Sequence, residues 1–488
     1  MREEPQAAPY RPDPAILPLA SWLGDPVAGA DFPQTRLRFR NRRWDRAVGL
    51  SELDDAAWVR HFGRFEPLPA NLPEPLALRY HGHQFRVYNP ELGDGRGFLF
   101  AQLRDDQDRL LDLGTKGSGQ TPWSRQGDGR LTLKGAVREI LATEMLEALG
   151  VYTSKTFSVI ETGEALERGD EPSPTRSAVL VRLSHGHIRF GTFQRLLAHG
   201  QAQEMAQLVD YCLTEFPGPL PPHEAPGRDE PAVMLFHQVV ERAADLAASW
   251  MVAGFVHGVL NTDNMNVTGE SFDYGPWRWL PRWDQGFTAA YFDHAGLYAF
   301  GRQPEAVHWN CGQLAVALRL LVDAPPLIAA LERFGPLYMQ AVARRWRWRL
   351  GVEQQVGAQQ GPDADMTLVA ACEAAMRDSG EPPDAFFHRL RAGGLAGGDL
   401  DRVLSRSPRV AAESAWWTGS APVSLPIEEV ERIWSAIDRH DDWEPLERKI
   451  GDIRQLGSAL GEAPMPAGHA LTRVSPQAPA AAAPSPPA

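Results

Sequence analysis

Residues 257–275 read HGVLNTDNMNVTGESFDYG, and the fold and chemistry of the whole chain turn on this stretch. Asn264 and Asp273, nine positions apart, offer an amide oxygen and a carboxylate. Hard oxygen donors suit Mg2+, which takes one or two carboxylates and completes its octahedron with waters and phosphate oxygens. Asp263 immediately precedes Asn264, so it would lie beside any phosphate that such an ion holds. Asp263-Asn264 and Asp273-Tyr274-Gly275 also have the composition of two ordinary turns. The segment alone leaves both readings open. His257 reads as a core histidine bonded to backbone.

Outward from this stretch, bulk composition narrows the classes. The 488 residues are enough for about three domains by length, or for one large two-lobed enzyme. Hydrophobic content of 43% and charged content of 23% are those of an ordinary globular protein. A net charge of −13 argues against a general nucleic-acid binder and leaves room for a local basic pocket. Cys212, Cys311 and Cys372 form no CxxC pair, which argues against zinc and disulfide frameworks and fits a reducing compartment. The N-terminus carries acids and prolines where a signal peptide needs a basic start and an apolar core. The apolar run near 311–331 is interrupted by Arg319, Asp323, Pro325 and Pro326, so no membrane helix is expected there. The expectation is a cytoplasmic protein with neither membrane nor nucleic acid as partner.

Along the chain, GFLFAQL, RLLDLGTKG, KTFSVIETG and SAVLVRLS read as strands between turn signals. In LKGAVREILATEMLEAL, residues 133–149, Val137, Leu141, Met145 and Leu149 recur every four positions and Gly150 supplies a stop, predicting a helix. After the Pro-rich stretch 214–232 the pattern turns helical, at 233–255, 311–322, 326–350, 364–378 and 426–440. Five segments are expected: 1–30 wrapping a surface, 31–213 as a strand-rich lobe with a nucleotide-binding lysine and a helix, 214–232 as a linker, 233–462 as a helical lobe with the catalytic loop and metal ligands, and 463–488 as a disordered Pro/Ala tail. The fold class is α+β, with the silhouette of a two-lobed protein-kinase-like fold carrying extra N- and C-terminal elements. Other α+β proteins share that silhouette.

A kinase catalytic loop reads H-R-D-L-x-x-x-N, with its Asp two places after the His. Here that place holds Val259, which cannot take a proton, while the Asn and a DFG-like triplet are kept. Kinases also use a strand lysine held by a helix carboxylate. Lys116 closes an apolar strand, and the next helix offers Glu139 and Glu144; helical geometry does not choose between them. LGDGRG (92–97) and RQGDGR (125–130) are flexible turns whose N–H groups and arginines could cradle phosphates or simply turn the chain. Arg182 and Arg189 could flank a pocket or face water.

Taken together, YHGHQF (80–85), NPELGDGRG (89–97), KGSGQTPWSRQGDGR (116–130), REILATE (138–144), RFGTF (189–193), HGVLNTDNMNVTGESFDYGPW (257–277) and FGRQP (300–304) resemble the selenoprotein O family, protein adenylyltransferases with a kinase-like fold. The matches run in family order from about residue 75 to 305, and weaker similarity continues to about 460. The resemblance implies transfer of AMP from ATP to Ser, Thr or Tyr hydroxyls of protein substrates, the protein itself among them, with release of pyrophosphate. It implies Mg2+, or Mn2+ in its place. Asp263 falls on the proton acceptor, and Asn264 and Asp273 fall on the metal ligands. Lys116 falls on the phosphate-contacting lysine, paired with Glu139. Gly93, Gly95, Arg96, Asp128, Gly129, Arg182, Arg189 and Asp273 fall on the ATP pocket. Because AMP transfer attacks the α-phosphorus, the nucleotide would lie reversed relative to a kinase. The alternatives are phosphoryl transfer to a protein or small molecule, a non-catalytic pseudokinase scaffold, and uridylyl transfer from UTP with Mn2+. Many relatives end in a motif with cysteine or selenocysteine; this chain has no cysteine after Cys372, which puts redox control through a C-terminal thiol in doubt.

Overall fold

The structure is a computed structural model that describes residues 8–169, 171–353, 362–405 and 416–464. The part of the Pro/Ala tail from 465 onward lies outside the described residues. The fold is mixed α and β, built on a large antiparallel sheet and many helices.

Twelve strands are described: β1 Gly24–Pro26, β2 Arg36–Arg40, β3 Leu76–Leu78, β4 Gly82–Gln84, β5 Val87–Asn89, β6 Leu99–Arg104, β7 Leu110–Lys116, β8 Leu131–Thr132, β9 Lys155–Leu166, β10 Thr175–Ser184, β11 Phe255–Val256 and β12 Arg278–Trp279. The helices of the first half are α1 Ala20–Leu23, α2 Arg42–Ala47, α3 Asp55–Gly63, α4 Leu133–Ala148, α5 Phe190–Ala198 and α6 Ala202–Glu215. Those of the second are α7 Pro231–Ala253, α8 Gln303–Leu318, α9 Ala324–Glu332, α10 Phe334–Leu350, α11 Pro362–Ser379, α12 Pro383–Arg391, α13 Gly398–Leu404, α14 Trp416–Gly419, α15 Ile427–His440 and α16 Glu444–Leu460.

The main sheet runs β1-β3-β6-β7-β10-β9-β2, and β8 adds to β10. Strand β7 alternates its side chains between two apolar layers. Leu111 and Leu113 join Trp58, Phe62, Phe100 and Phe157 under α3, while Leu110 packs with the layer that contains α4. Helix α4 starts where Thr132 Oγ1 accepts the Gly135 N–H at 3.1 Å, a side-chain cap. It ends before Gly150, whose φ of +71° lets the chain turn away.

Two differences from the sequence reading concern packing. The segment before residue 30 does more than cover a surface: β1 pairs with β3, and Ile16, Leu19 and Leu23 are buried in the core. Short apolar residues spaced among prolines gave no period to reveal this. The succession of helices expected after residue 232 also starts earlier, at Phe190, where Phe190, Phe193 and Leu196 form the buried stripe of α5.

In the helical part α7 is buried along almost its whole length and packs against α8, α9 and α10. Its Asp245 holds Arg345 in a buried pair and accepts from Arg344 Nη2 at 2.8 Å. Gly254 ends α7 in the left-handed region, and β11 then pairs with β12, framing the stretch 257–277. Finally α15 and α16 return to α4. Arg454 forks onto Glu144 at 2.7 and 2.8 Å, Lys134 Nζ meets Glu431 at 2.8 Å, and Gly457 packs against Ala148.

Candidate active site

The residues singled out in the sequence converge on one cavity of about 770 Å3. Its wall contains Lys116 from the end of β7, Arg182 from β10, Arg189 from the start of α5, and Asp263, Asn264 and Asp273 from the framed stretch. Gly93, Gly95 and Arg96 come from the loop after β5, and Asp128 and Gly129 from the loop before β8. Glu139 alone stands behind the wall, where its Oε2 accepts from Lys116 Nζ at 2.6 Å. The choice between Glu139 and Glu144 is therefore made by packing, since Glu144 is taken by Asn41, Arg43 and Arg454.

Asp273 sits at φ +58° and is gripped on both oxygens. Arg182 Nη1 donates to Oδ1 at 2.7 Å, Arg189 Nη1 donates to Oδ2 at 2.9 Å, and Lys116 Nζ lies 3.6 Å from Oδ1. Burial opposes its charge, but Arg182, Arg189 and Lys116 prevail and hold the carboxyl well below its usual range. Arg182 is itself aimed: its Nε donates to His187 Nε2 at 3.2 Å. An arginine only donates, so the His187 proton resides on Nδ1, facing Asp112 Oδ2 at 3.2 Å.

Asp263 lies in a single 3-10 turn, Thr262–Asn264. Its side-chain Oδ1 is buried and has no hydrogen-bond partner. Burial pushes its carboxyl up to about 6, against the pull of Arg189. The turn is pinned on three sides. Arg189 Nη1 donates to the Asp263 carbonyl at 2.8 Å, the His83 N–H donates to Thr262 Oγ1 at 2.7 Å, and Thr262 Oγ1 donates to Gln194 Oε1 at 2.7 Å. Glycine at position 82 leaves room for this carboxylate, since a Cβ there would stand 2.9 Å from Asp263 Oδ1. His257 is fully buried, with Nε2 bonded to the Phe272 carbonyl at 3.1 Å.

Asn264 and Asp273 carry oxygen donors of the kind a hydrated hard cation takes, and both Asp273 oxygens are bonded here to arginines. Asn264 Nδ2 donates to the Val259 carbonyl at 3.0 Å, which leaves Oδ1 as the ligand-type atom. Among the described residues no cluster of three or more His, Cys, Asp or Glu side chains forms a closed metal cage. Mg2+ rarely uses one.

Sequence reasoning passed over other cavity residues. Asp94 lies inside the LGDGRG motif, accepts from Arg189 Nη2 at 3.4 Å, and is pushed up by burial. Tyr80 lies under the Arg189 guanidinium, 4.6 Å from ring centre to Cζ. Trp123 packs on Gly93 and Gly95, where side chains would collide with it. Aspartate inside a glycine turn, and Tyr and Trp inside the quoted motifs, were the available signals.

A family model described as "Protein adenylyltransferase SelO" matches residues 10–399. A "Protein nucleotidyltransferase YdiU" from Synechocystis sp. is 42% identical over 463 residues, covering 89% of this chain and 96% of that protein. One from Trichodesmium erythraeum is 46% identical over 384 residues, covering 78% and 79%. One from Pseudomonas putida is 39% identical over 318 residues, covering 65% and 62%. The chain is thus an enzyme of the nucleotidyltransferase class. It belongs to the family of protein adenylyltransferase SelO.

Proposed function

We propose that this chain transfers AMP from ATP to Ser, Thr or Tyr hydroxyls of protein substrates, itself included, and releases pyrophosphate. The observation that carries the reading is the unpartnered Oδ1 of Asp263, adjacent to Asn264 in a cavity that also presents Lys116, Arg182, Arg189 and Asp273. The acceptor oxygen bonds to the α-phosphorus, the bond from that phosphorus to the bridging oxygen of the β-phosphate breaks, and the acceptor proton passes to Asp263. A carboxylate raised to about 6 is a stronger base than an exposed aspartate and is still ionised at neutral pH.

Asn264 and Asp273 would hold Mg2+, or Mn2+ in its place, which would neutralise charge on the phosphate oxygens. Lys116, kept in place by Glu139, adds a fixed positive charge. Arg182 and Arg189 pair with Asp273, and phosphate oxygens would compete for the same forks. The reversed nucleotide directs its γ-phosphate toward the turns holding Gly93, Gly95, Arg96, Asp128 and Gly129. We read the architecture as protein-kinase-like, with lobes 31–213 and 233–462 joined by 214–232. Three free, buried cysteines support a cytoplasmic setting, and no described helix is long and apolar enough to cross a membrane.

The test uses purified protein, Mg2+ and a lysate of acceptors. One arm carries ATP labelled at the α-phosphate, one ATP labelled at the γ-phosphate, and one α-labelled UTP. Protein labelled from α-ATP and not from γ-ATP is expected. Label from γ alone makes the chain a kinase and refutes the mechanism; label only from UTP moves the assignment to uridylyl transfer.

A further inference from the structure

Nine large apolar side chains are exposed among the described residues, and four of them, Val87, Tyr88, Tyr291 and Phe292, come from two segments that meet. Tyr291 is the most exposed, at 81%. Phe292 stands 5.1 Å from Tyr291 and 5.8 Å from Phe85, ring centre to ring centre. Monomeric surfaces scatter single apolar residues; contiguous groups mark contact sites.

This patch is built onto the Asp263 turn. The Phe85 N–H donates to Asn261 Oδ1 at 3.1 Å, and Tyr298, whose ring lies 5.0 Å from Phe85, donates its hydroxyl to the same oxygen at 2.9 Å. Ala289 and Ala290 pack against Gly258, next to Val259 in the cavity wall. Gly82, which opens the β4–β5 hairpin, touches Asp263. The hairpin turn itself is strained. Phe85 and Arg86 have φ of +50° and +63°, a pair of conformations that two-residue turns normally assign to Asn and Gly. Such strain persists only where the surroundings impose it, and it gathers at functional sites. Here Arg86 is held over Trp309 at 5.4 Å and bonds Glu305 at 2.9 Å.

The occupant follows from the chemistry. Asp263 is only 8% exposed, so a hydroxyl reaches it only on a protruding segment. Among the described residues β5 pairs with no strand but β4, leaving an outer edge to receive an extended chain. We propose that the hairpin Gly82–Asn89 and the pair Tyr291–Phe292 dock the acceptor protein, taking an extended segment with a large apolar side chain a few residues from the acceptor hydroxyl. The proposal rests on the adenylyl-transfer reading.

The test is a degenerate peptide library with one central Ser, Thr or Tyr, offered with α-labelled ATP to the wild type, Tyr291→Ala, and Tyr291→Ala/Phe292→Ala. ATP binding, read by thermal shift, checks that each variant is folded. For the wild type, labelled peptides are expected to be enriched in Leu, Ile, Phe or Met beside the acceptor. In the double variant the enrichment disappears and KM for an enriched peptide rises about tenfold, the loss of one well-packed aromatic contact. Labelling without apolar enrichment, or with equal enrichment in the variants, overturns the docking proposal and spares the adenylyl-transfer reading. Loss of self-association on gel filtration, with peptide selection unchanged, makes the patch an interface between copies and also overturns it. Absence of peptide labelling by a wild type that labels lysate proteins from α-labelled ATP overturns the docking proposal alone; absence of both kinds of labelling overturns the underlying reading with it.

Discussion

Arg189→Met separates the two jobs of a buried charge. Arg189 is 4% exposed and donates to the Asp263 carbonyl, to Asp273 at 2.9 Å and to Asp94 at 3.4 Å. Methionine keeps the apolar stem but ends short of the guanidinium, whose carbon lies 4.6 and 4.8 Å from the rings of Tyr80 and Phe272. The loss is chiefly charge, and removing one partner of a buried ion pair costs about 3–5 kcal/mol because the other is stranded. The two carboxylates do not share that loss equally. Asp273 keeps Arg182 and Lys116, whereas Asp94 keeps the Leu78 N–H and a more distant His187 and Arg182. Most of the penalty therefore falls on Asp94. Adding Asp94→Asn should restore about 0.5–3 kcal/mol, the range of coupling between contacting groups. Arg189→Lys, which keeps the charge and loses the fork, should fall between wild type and Met. Urea unfolding followed by tryptophan fluorescence near neutral pH, over the wild type, both single variants and the double, measures the cycle. A cost below about 1 kcal/mol for Arg189→Met, or no recovery in the double variant, would refute the idea that Arg189 compensates these acids.

Two further outcomes are expected. Asp263→Asn keeps shape and burial, so ATP-induced thermal stabilisation should persist while adenylyl transfer falls by about 10²–10⁴, the contribution typical of a general base; full transfer activity would remove Asp263 from that role. Glu270, fully enclosed and accepting the His185 N–H at 2.7 Å, is pushed by burial from 4.5 to about 7. An acid raised on folding contributes stability below about pH 4.5 and loses it as pH rises through about 7. Glu270→Gln should therefore match the wild type near pH 4.5 and exceed it by about 3 kcal/mol above pH 7, at about 1.4 kcal/mol per unit; parallel stability–pH curves would contradict this.

The sequence was informative wherever one residue type had one purpose. Val137, Leu141 and Met145 announced α4, and the spacing from Lys116 to Glu139 was compatible with the ion pair the fold makes. Choosing Glu139 over Glu144 needed family likeness, because only the arrival of Arg43 and Arg454 from distant segments shows that Glu144 is taken. Arg182 and Arg189 were equally ambiguous: both are buried against Asp273, about ninety residues on, and no local pattern encodes that meeting. The hairpin at 82–89 was invisible for a different reason. Its turn residues Phe85 and Arg86 contradict ordinary turn preferences, and tertiary contacts override the local rule.

The embrace of α4 by α15 and α16 also sets an order of events during synthesis. Glu144 waits for Arg454, Lys134 waits for Glu431, and the helix that carries Glu139 is completed by residues made more than 280 positions later. A nascent chain whose residues 427–460 are still inside the ribosome has made every residue of the cavity wall, yet it lacks these contacts to the helix that holds its lysine. The outer support of the helix that carries Glu139 is therefore the last part of this region to be made.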